Sequence, residues 1–365
     1  MWPNRSYFKW AGVAATAGIA GGLAMAITAW SQTSPSTSSS TGARKSLSKA
    51  EITLAYVPAI DIATAFVAKE EGIFESEGLN VTLKSLANGG DLLSALIGGS
   101  LDVGTAGPGS AWVAIAKGAK LKSFIAAETG SIGQVAIGEK WAKSKGITAN
   151  SNPTEKINAL KGATIGTNLP GGSLHAWALT FLKASGLNPD SDVKVQPLNG
   201  GSAMLAAFEA GRLDVLIHVP PTTSQAHTRD GAILLDLNDV PAMPAFREAP
   251  SDMYTTTQSF IDNHPDTVLA LTRAIIRAHQ FINENPKKAA DDAAKYVGKL
   301  GPGFTDLDFG NIKSQGPFLT EKAYEAGIKI NTPIIGDISG LSYTKVIDPS
   351  FQKKAAEQLK IPYPR

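Results

Sequence analysis

Five short loops in this sequence carry residue types that bind small charged groups. Four of them combine glycine, which lets backbone N–H groups approach a ligand closely, with a hydroxyl or amide side chain. They precede expected helices, whose first N–H groups concentrate partial positive charge. The loops are residues 56–59, 88–90, 107–110, 169–173 and 199–202. Because their tips carry neither Lys nor Arg, we expect them to suit a singly charged anion better than a polyphosphate.

The candidate ligand-binding residues come from these loops and from two histidines near them. His175 lies in the first turn of the helix that follows one loop, although packing in the core explains it equally well. His218 ends an expected strand and is the stronger candidate. For any single loop, a turn with a helix cap is the simpler explanation, so the prediction depends on several loops converging. The candidates are Tyr56, Asn88, Gly89, Gly107, Ser110, Gly172, Ser173, His175, Asn199, Gly200 and His218.

Three acidic residues and two tryptophans could also serve a site, but each has a structural explanation. Asp102 and Asp214 begin strands at the end of the sheet away from the loops, where capping a turn accounts for them. Glu128 closes a strand and could meet a ligand amine, yet we interpret it as a solvated hinge residue. Trp112 and Trp177 could cover a ligand, although tryptophan at helical spacing more often packs in a core.

Alternating elements must position these loops. Short β-branched runs, such as 52–56 and 121–127, alternate with amphipathic stretches such as 61–72, where Asp61 is the expected N-cap. Short glycine-rich connections join them. This alternation predicts doubly wound α/β units with parallel sheets.

An internal repeat indicates that the α/β unit is used twice. Residues 88–91 (NGGD) lead through a helix to 99–103 (GSLDV), and about 111 residues later 199–202 (NGGS) lead to 211–215 (GRLDV). The spacing is too long for a solenoid. We therefore expect two lobes, with residues 51–132 and 237–340 in lobe 1, 133–236 in lobe 2, and 341–365 as a C-terminal tail packing on lobe 1. Two crossings would form a hinge, with a cleft where the carboxyl ends of both sheets face each other.

The first 50 residues have the composition of an export leader and a linker. Arg5 and Lys9 precede an uncharged stretch at 11–30 with a small-x-small cleavage site at 24–26, which predicts a signal peptide over residues 1–30. The alternative is an uncleaved membrane anchor. Residues 31–50 are rich in Ser and Thr and predict a disordered linker. The body would then work in the periplasm, either free or tethered to the outer face of the inner membrane.

Composition excludes several classes of partner and chemistry. Beyond residue 50 the chain carries 29 basic and 32 acidic side chains, so nothing favours nucleic acid as a partner. Cysteine is absent, which excludes disulfides and thiolate chemistry. Phosphate-loop, zinc-protease and nucleophile-elbow motifs are missing as well. We expect a monomer that is not an enzyme and that needs neither a cofactor nor a metal.

The sequence also resembles a known family, the periplasmic substrate-binding proteins of ABC importers for taurine, aliphatic sulfonates, nitrate and thiamine-pyrimidine precursors. The stretches that carry the resemblance are 68–74 with 77–81, 99–107, 171–173 with 184–187, 208–215, 278–286 and 348–351. The resemblance implies a type II periplasmic-binding-protein fold that closes on its ligand by hinge motion, and a permease in the inner membrane as partner. It maps Tyr56, Gly89, Gly107, Ser110, Gly172, Ser173 and His218 to ligand-contacting loops, without identifying the ligand.

Two other interpretations remain. A thiamine-pyrimidine-related binding protein or enzyme is similar over both lobes, although such enzymes use cysteine-rich and histidine features and this chain lacks cysteine. A sensory ligand-binding domain held by an uncleaved anchor is the third interpretation.

Overall fold

Strands and helices alternate along the chain, as the hydrophobic runs and glycine-rich connections predict. This is a computed structural model that describes residues 47–170, 173–297, 316–336 and 340–364. Gly172 and the leader at 1–30 therefore lie outside the described residues. The strands are β1 Glu51–Tyr56, β2 Asn80–Ser85, β3 Val103–Ala106, β4 Leu121–Ala126, β5 Gln134–Ile137, β6 Thr164–Asn168, β7 Lys194–Leu198, β8 Val215–His218, β9 Ile233–Asp236 and β10 Met253–Thr257.

Most helices follow a strand directly and start at a polar or glycine-rich loop. They are α1 Ala63–Glu70, α2 Ile73–Ser76, α3 Gly89–Ile97, α4 Pro108–Ala116, α5 Glu139–Ser144, α6 Pro153–Asn158, α7 Ser173–Ala184, α8 Gly200–Glu209, α9 Thr222–Asp230, α10 Gln258–Asn263, α11 Pro265–Glu284, α12 Pro286–Val297, α13 Glu321–Ile335, α14 Tyr343–Val346 and α15 Pro349–Leu359. Short 3-10 helices occur at Ile60–Ile62, Leu237–Asp239 and Pro244–Arg247. None of these described helices is long and apolar enough to span a membrane.

The strands form two five-stranded sheets, one in each lobe. Their orders are β2-β1-β3-β10-β4 and β7-β6-β8-β5-β9. Strand β1 is parallel to β2 and β3, and β6 is parallel to β7 and β8. However, β10 runs antiparallel to β3 and β4, and β5 runs antiparallel to β8 and β9. The expectation of purely parallel sheets is therefore wrong for one strand in each sheet.

The two antiparallel strands have the same origin. Strand β5 is the first strand after the chain leaves the first sheet, and β10 is the first after it returns. Strand β4 is the last strand before the chain leaves the first sheet, and β9 is the last before it leaves the second sheet. A connection that enters the other sheet at its facing edge must start a strand running the opposite way. Residues 127–133 and 237–252 are thus the two crossings of a two-lobed protein.

The internal repeat is present as two equivalent local structures. Asp102 accepts a hydrogen bond from the backbone N–H of Thr53 at 2.8 Å, and Asp214 accepts one from Thr164 at 2.8 Å. In both lobes the aspartate N–H also donates to the carbonyl of that same threonine. The two carboxylates therefore fasten the start of one strand to its neighbour, which confirms that they have a structural role.

Each lobe has its own apolar core, and the cores extend differently from the expected division. Leu237, Phe246 and Ala249 pack in the core of the second lobe, together with Trp177 of α7. The expected division placed residue 237 onward in lobe 1. The change in packing comes later, at β10, because the two 3-10 helices between β9 and β10 turn their apolar side chains into the second core.

Helix α13 contacts both lobes. The hydroxyl of Thr180, in α7, donates to the carbonyl of Ile330 at 2.6 Å. On the side of the first lobe, Gly327 lies against Trp112 of α4 so closely that a Cβ would stand 2.7 Å from the indole ring. Helix α13 therefore joins α4 to α7 outside the two crossings. In the first lobe, the C-terminal helix α15 adds Phe351 to the core.

Candidate functional site

A cavity of about 930 Å³ lies between the two lobes, at the carboxyl ends of the parallel strands. The first residues of four helices line it: α3 and α4 from the first lobe, α7 and α8 from the second. Most of the candidates predicted from the sequence are among its lining residues, namely Asn88, Gly89, Gly107, Ser110, Ser173, Asn199, Gly200 and His218. The loops therefore converge in the structure, as the doubled architecture requires.

Two candidates point elsewhere. Tyr56 is buried beside the rings of Phe66 and Tyr296 and is not among the lining residues. His175 is also buried, with Nδ1 3.2 Å from the hydroxyl of Thr167. Residues two apart on a helix lie on opposite faces, which separates His175 from the cavity-lining Ser173. Gly172 lies outside the described residues.

The N-termini of α4 and α7 meet across the lobes. The backbone N–H of Gly109 donates a hydrogen bond to Ser173 Oγ at 3.0 Å. A Cβ on Gly107 would stand 2.4 Å from that Oγ and 2.9 Å from the carbonyl oxygen of Ser251. This close approach requires glycine at position 107. The hydroxyl of Ser173 thus joins the two lobes as well as lining the cavity.

Some polar side chains of the other loops form hydrogen bonds within their own loop, and others do not. The amide of Asn88 caps α3, because its Oδ1 accepts from the N–H of Asp91 at 2.9 Å. The hydroxyl of Ser110 donates to the carbonyl of Gly107 at 3.1 Å. Asn199 precedes α8 without forming a side-chain cap, and Ser202 follows it in the cavity wall. The second lobe therefore leaves more polar side chains available to a ligand.

His218 is a neutral hydrogen-bonding group of the cavity. Its Nδ1 lies 3.1 Å from the carbonyl oxygen of Val219. A carbonyl can only accept, so Nδ1 carries the hydrogen and Nε2 is left as an acceptor. Burial lowers the pKa of His218, against the opposing effect of that hydrogen bond. At neutral pH this side chain therefore offers a lone pair rather than a positive charge.

Two carboxyl groups that the sequence analysis did not select line the cavity, Asp61 and Asp252. The expectation that Asp61 caps a helix is wrong, since Ile62 precedes α1 and Asp61 Oδ2 accepts from the hydroxyl of Ser251 at 2.8 Å. Burial raises the pKa of Asp61 to about 6, although the Ser251 hydrogen bond opposes the shift. Burial and the charge of Asp61 hold the pKa of Asp252 well above its usual range.

Glu128 lies in the first crossing and is completely buried, so its interpretation as a solvated hinge residue is wrong. Within the described residues, neither of its carboxylate oxygens has a hydrogen-bond partner. Burial raises its pKa well above the usual range, and the negative charges of Asp61 and Asp236 add to the effect. Glu128 is not among the cavity-lining residues. It therefore places a third buried acid beside the hinge.

Three further lining residues extend the chemistry of the cavity. Trp177 lines it while packing against Phe246, and its indole N–H has no partner among the described residues. Leu169 lies at the rim with 48% of its surface exposed. Lys117, also exposed, supplies a cation that the sequence analysis did not place there. Over the described ranges, no group of three or more His, Asp or Glu is arranged to hold a metal ion.

Comparison with known sequences gives a family and several distant relatives. The sequence model of the NMT1-like family matches residues 45–298. The nitrate/nitrite binding protein NrtA of Nostoc sp. is 24% identical over 253 residues, which cover 64% of this chain and 54% of that protein. The bicarbonate transport ATP-binding protein CmpC of Synechocystis sp. is 27% identical over 65% of this chain and 36% of that protein. The chain therefore spans only about half, or less, of the length of these two relatives.

Solved structures with the same fold cover most of the chain. A protein of Bordetella bronchiseptica is 25% identical with a TM-score of 0.68, covering 87% of this chain and all of that one. The alkanesulfonate-binding protein SsuA of Xanthomonas axonopodis, bound to MOPS, is 18% identical with a TM-score of 0.65 over 83% and 99% of the two chains. The nitrate-binding protein NrtA of Synechocystis is 16% identical with a TM-score of 0.66 over 87% and 91%. These likenesses show the type II periplasmic-binding-protein fold of two α/β lobes.

Proposed function

The chain belongs to the NMT1-like family, and from this membership we propose that it is the solute-binding component of an ABC importer. It captures a small organic anion between its lobes and delivers it to a permease in the inner membrane. The observation that carries the proposal is the convergence of four helix N-termini, two from each lobe, on one cavity. Such N-termini bind anions through free N–H groups and the helix dipole.

The size of the cavity favours an organic ligand. A volume of about 930 Å³ lies at the upper end of the range for drug-sized molecules, far above what a nitrate ion fills. Trp177 and Leu169 provide apolar surface that could cover the body of such a ligand. Two relatives are named for binding nitrate and alkanesulfonates. Among the anions that helix N-termini accept, sulfonates and carboxylates with an apolar body fit these features best.

We propose binding without catalysis. The relatives with named functions are binding or transport proteins rather than enzymes of the same fold. His218 and Ser173 do not form a nucleophile–base pair, since the neutral His218 donates to a backbone carbonyl and Ser173 accepts from a backbone N–H. A binding protein needs only the donors and the hinge that these elements supply.

Titration of intrinsic tryptophan fluorescence tests the proposal, because Trp177 lies in the cavity wall. Alkyl and aryl sulfonates, taurine, nitrate, aromatic carboxylates and a hydroxymethylpyrimidine form the panel. We expect an organic anion to change the emission in a saturable way, and Trp177→Phe to remove most of that change. Saturable binding by neutral compounds alone would contradict the proposed ligand class.

Replacing Ser202 by alanine should weaken binding of the best anion by about tenfold, because a hydrogen bond to a charged group contributes about 1.5–3 kcal/mol. Ser202 lies in the first turn of α8 and lines the cavity. Ser191→Ala, on the surface of the same lobe, is the matched control and should leave the dissociation constant unchanged. Equal affinity in Ser202→Ala and the wild type would remove this residue from the site.

We also propose a periplasmic location, with residues 1–30 as a signal peptide and 31–50 as a linker. Expressed in a Gram-negative host, the protein should be soluble in the periplasm and begin after Ala26 or Ala29. N-terminal sequencing of the periplasmic fraction provides the measurement. Recovery in washed membranes with residues 1–30 intact would instead support an uncleaved anchor.

A further inference from the structure

One wall of the cavity carries carboxyl groups beside hydroxyl groups. Asp61 and Ser251 are joined by the 2.8 Å hydrogen bond, and Asp252 follows Ser251 directly before β10. All three line the cavity, together with Thr105 of the neighbouring strand β3. Ser251 and Asp252 lie at the end of the second crossing, Asp61 lies in the first lobe, and Thr105 lies two residues before the loop that begins at Gly107. The wall therefore has a chemistry different from that of the helix N-termini.

Two side chains in this wall are buried without satisfying their polar atoms. Asp61 is 7% exposed and its Oδ1 has no hydrogen-bond partner among the described residues. Thr105 is 2% exposed, and its hydroxyl likewise has no partner there. Buried polar atoms without partners are rare because they cost free energy. A ligand group that donates hydrogen bonds would satisfy both.

The charge of the wall favours a cation as that group. With the pKa of Asp61 near 6, this carboxyl is largely ionised at neutral pH. Glu128 lies close enough to Asp61 to interact with it electrostatically, but burial raises the pKa of Glu128 well above its usual range, so it supplies no positive charge to Asp61. The one basic lining residue in the described cavity, Lys117, is exposed at the end of α4. A positively charged group on the ligand would therefore give the Asp61 carboxylate a partner.

The facing lobe contributes another acceptor. His218 is neutral and presents Nε2 as a lone pair, since its Nδ1 donates to Val219. Asn168, at the end of β6, lines the cavity with an Oδ1 that lacks a partner among the described residues. A simple anion could use neither of these acceptors. A ligand with several N–H groups could use both.

We propose that Asp61 and Asp252 form a subsite for a protonated nitrogen, so that the ligand is a zwitterion whose acidic group is held by the helix N-termini. This inference rests on the proposed function and narrows its ligand class from anions to amino sulfonates or amino carboxylates. Opposite charges at the two ends of the ligand match the two walls. Binding at the acidic wall also displaces protons from the cluster, because a cation favours the ionised carboxyls.

Matched pairs of compounds test the subsite. The probes are ω-amino alkanesulfonates and alkanecarboxylates of graded chain length, each paired with the same acid lacking nitrogen. In calorimetric titrations we expect the best amino compound to bind about tenfold more tightly than its partner, as a charge-assisted hydrogen bond implies. Repeating the titration in buffers of different ionisation enthalpy should reveal proton release for the amino compound alone.

Two variants assign the effect to the acidic wall. Asp61→Asn and Asp252→Asn keep the shape and remove a carboxyl that can ionise against the ligand, and either should bring the two members of a pair to within about threefold. Two variants are used because one of them could fail to fold, which circular dichroism reports. Retention of the full preference in both folded variants overturns the subsite.

The outcomes separate this inference from the proposed function. If nitrogen-free acids bind the wild-type protein as tightly as their amino partners, the acidic subsite is overturned and the binding function stands. If neither set binds, the subsite and the proposed anion class both fail. If the wild-type protein prefers the amino compounds and either variant loses that preference, the result supports both the subsite and the proposed function.

Discussion

Replacing Gly107 by alanine is expected to force the lobes apart and to weaken ligand binding by about tenfold or more. The new Cβ would meet Ser173 Oγ at 2.4 Å and the Ser251 carbonyl at 2.9 Å. The first contact lies across the lobes and the second is with backbone, so side-chain rotation alone cannot relieve both. Overpacking of this kind costs about 1–3 kcal/mol. Solution scattering should show a larger radius of gyration than in the wild type.

Gly340→Ala is the control for this substitution. A Cβ at Gly340 meets nothing within 4 Å, so scattering, melting temperature and affinity should all stay at wild-type values. A Gly107→Ala protein with unchanged scattering and unchanged affinity would show that the contact between α4 and α7 does not set the geometry of the cleft.

The second large effect is expected from Glu128→Gln, which should stabilise the protein at and above neutral pH. Burial raises the pKa of Glu128, so the folded protein keeps a proton that the unfolded chain releases at a lower pH. The free energy of unfolding therefore falls as pH rises from the ordinary carboxyl range toward the native pKa. Each unit of difference between the pKa of Glu128 in the folded protein and its pKa in the unfolded chain corresponds to about 1.4 kcal/mol of stability. Glutamine cannot ionise, so the variant should gain more than about 1 kcal/mol at about pH 8.

Urea unfolding measured at about pH 5 and at about pH 8 checks this result. The wild type should lose more stability than the variant between the two values. Glu325→Gln removes an exposed carboxylate and serves as the control, with the pH dependence of the wild type. A Glu128→Gln protein that is less stable at both values, with an unchanged slope, would contradict the assignment of a buried, protonated acid.

The parts of the site that follow from local sequence rules were predictable. The paired NGG loops and the Leu-Asp-Val strands indicated one unit used twice, and Asp102 and Asp214 make the same hydrogen bond in both lobes. In such sheets the loops at the carboxyl ends of parallel strands share one edge, which is why loops around Gly89, Gly107 and Gly200 meet. At these positions the repeated sequence motif and the topology of the sheets predict the same location.

The acidic wall could not be predicted in the same way. Ser251 and Asp252 reach the cavity because β10 inserts antiparallel between β3 and β4 after a crossing, a pairing of residues more than a hundred positions apart. Glutamate is a residue type that usually lies on the surface, and only the packing of the first crossing buries Glu128. Tyr56 shows the opposite error, because its strand position was right but its ring packs on Phe66.

Native mass spectrometry of the protein isolated without refolding tests the central claim, that a small molecule occupies the cavity between the lobes. The wild-type protein should carry a non-covalent small molecule that is released on unfolding. Ala87→Trp provides the comparison, since Ala87 is exposed and lines the cavity, where an indole would fill the ligand space. The account predicts that this variant carries none. Equal loading of both proteins, or no loading of either after incubation with a periplasmic small-molecule extract, would contradict it.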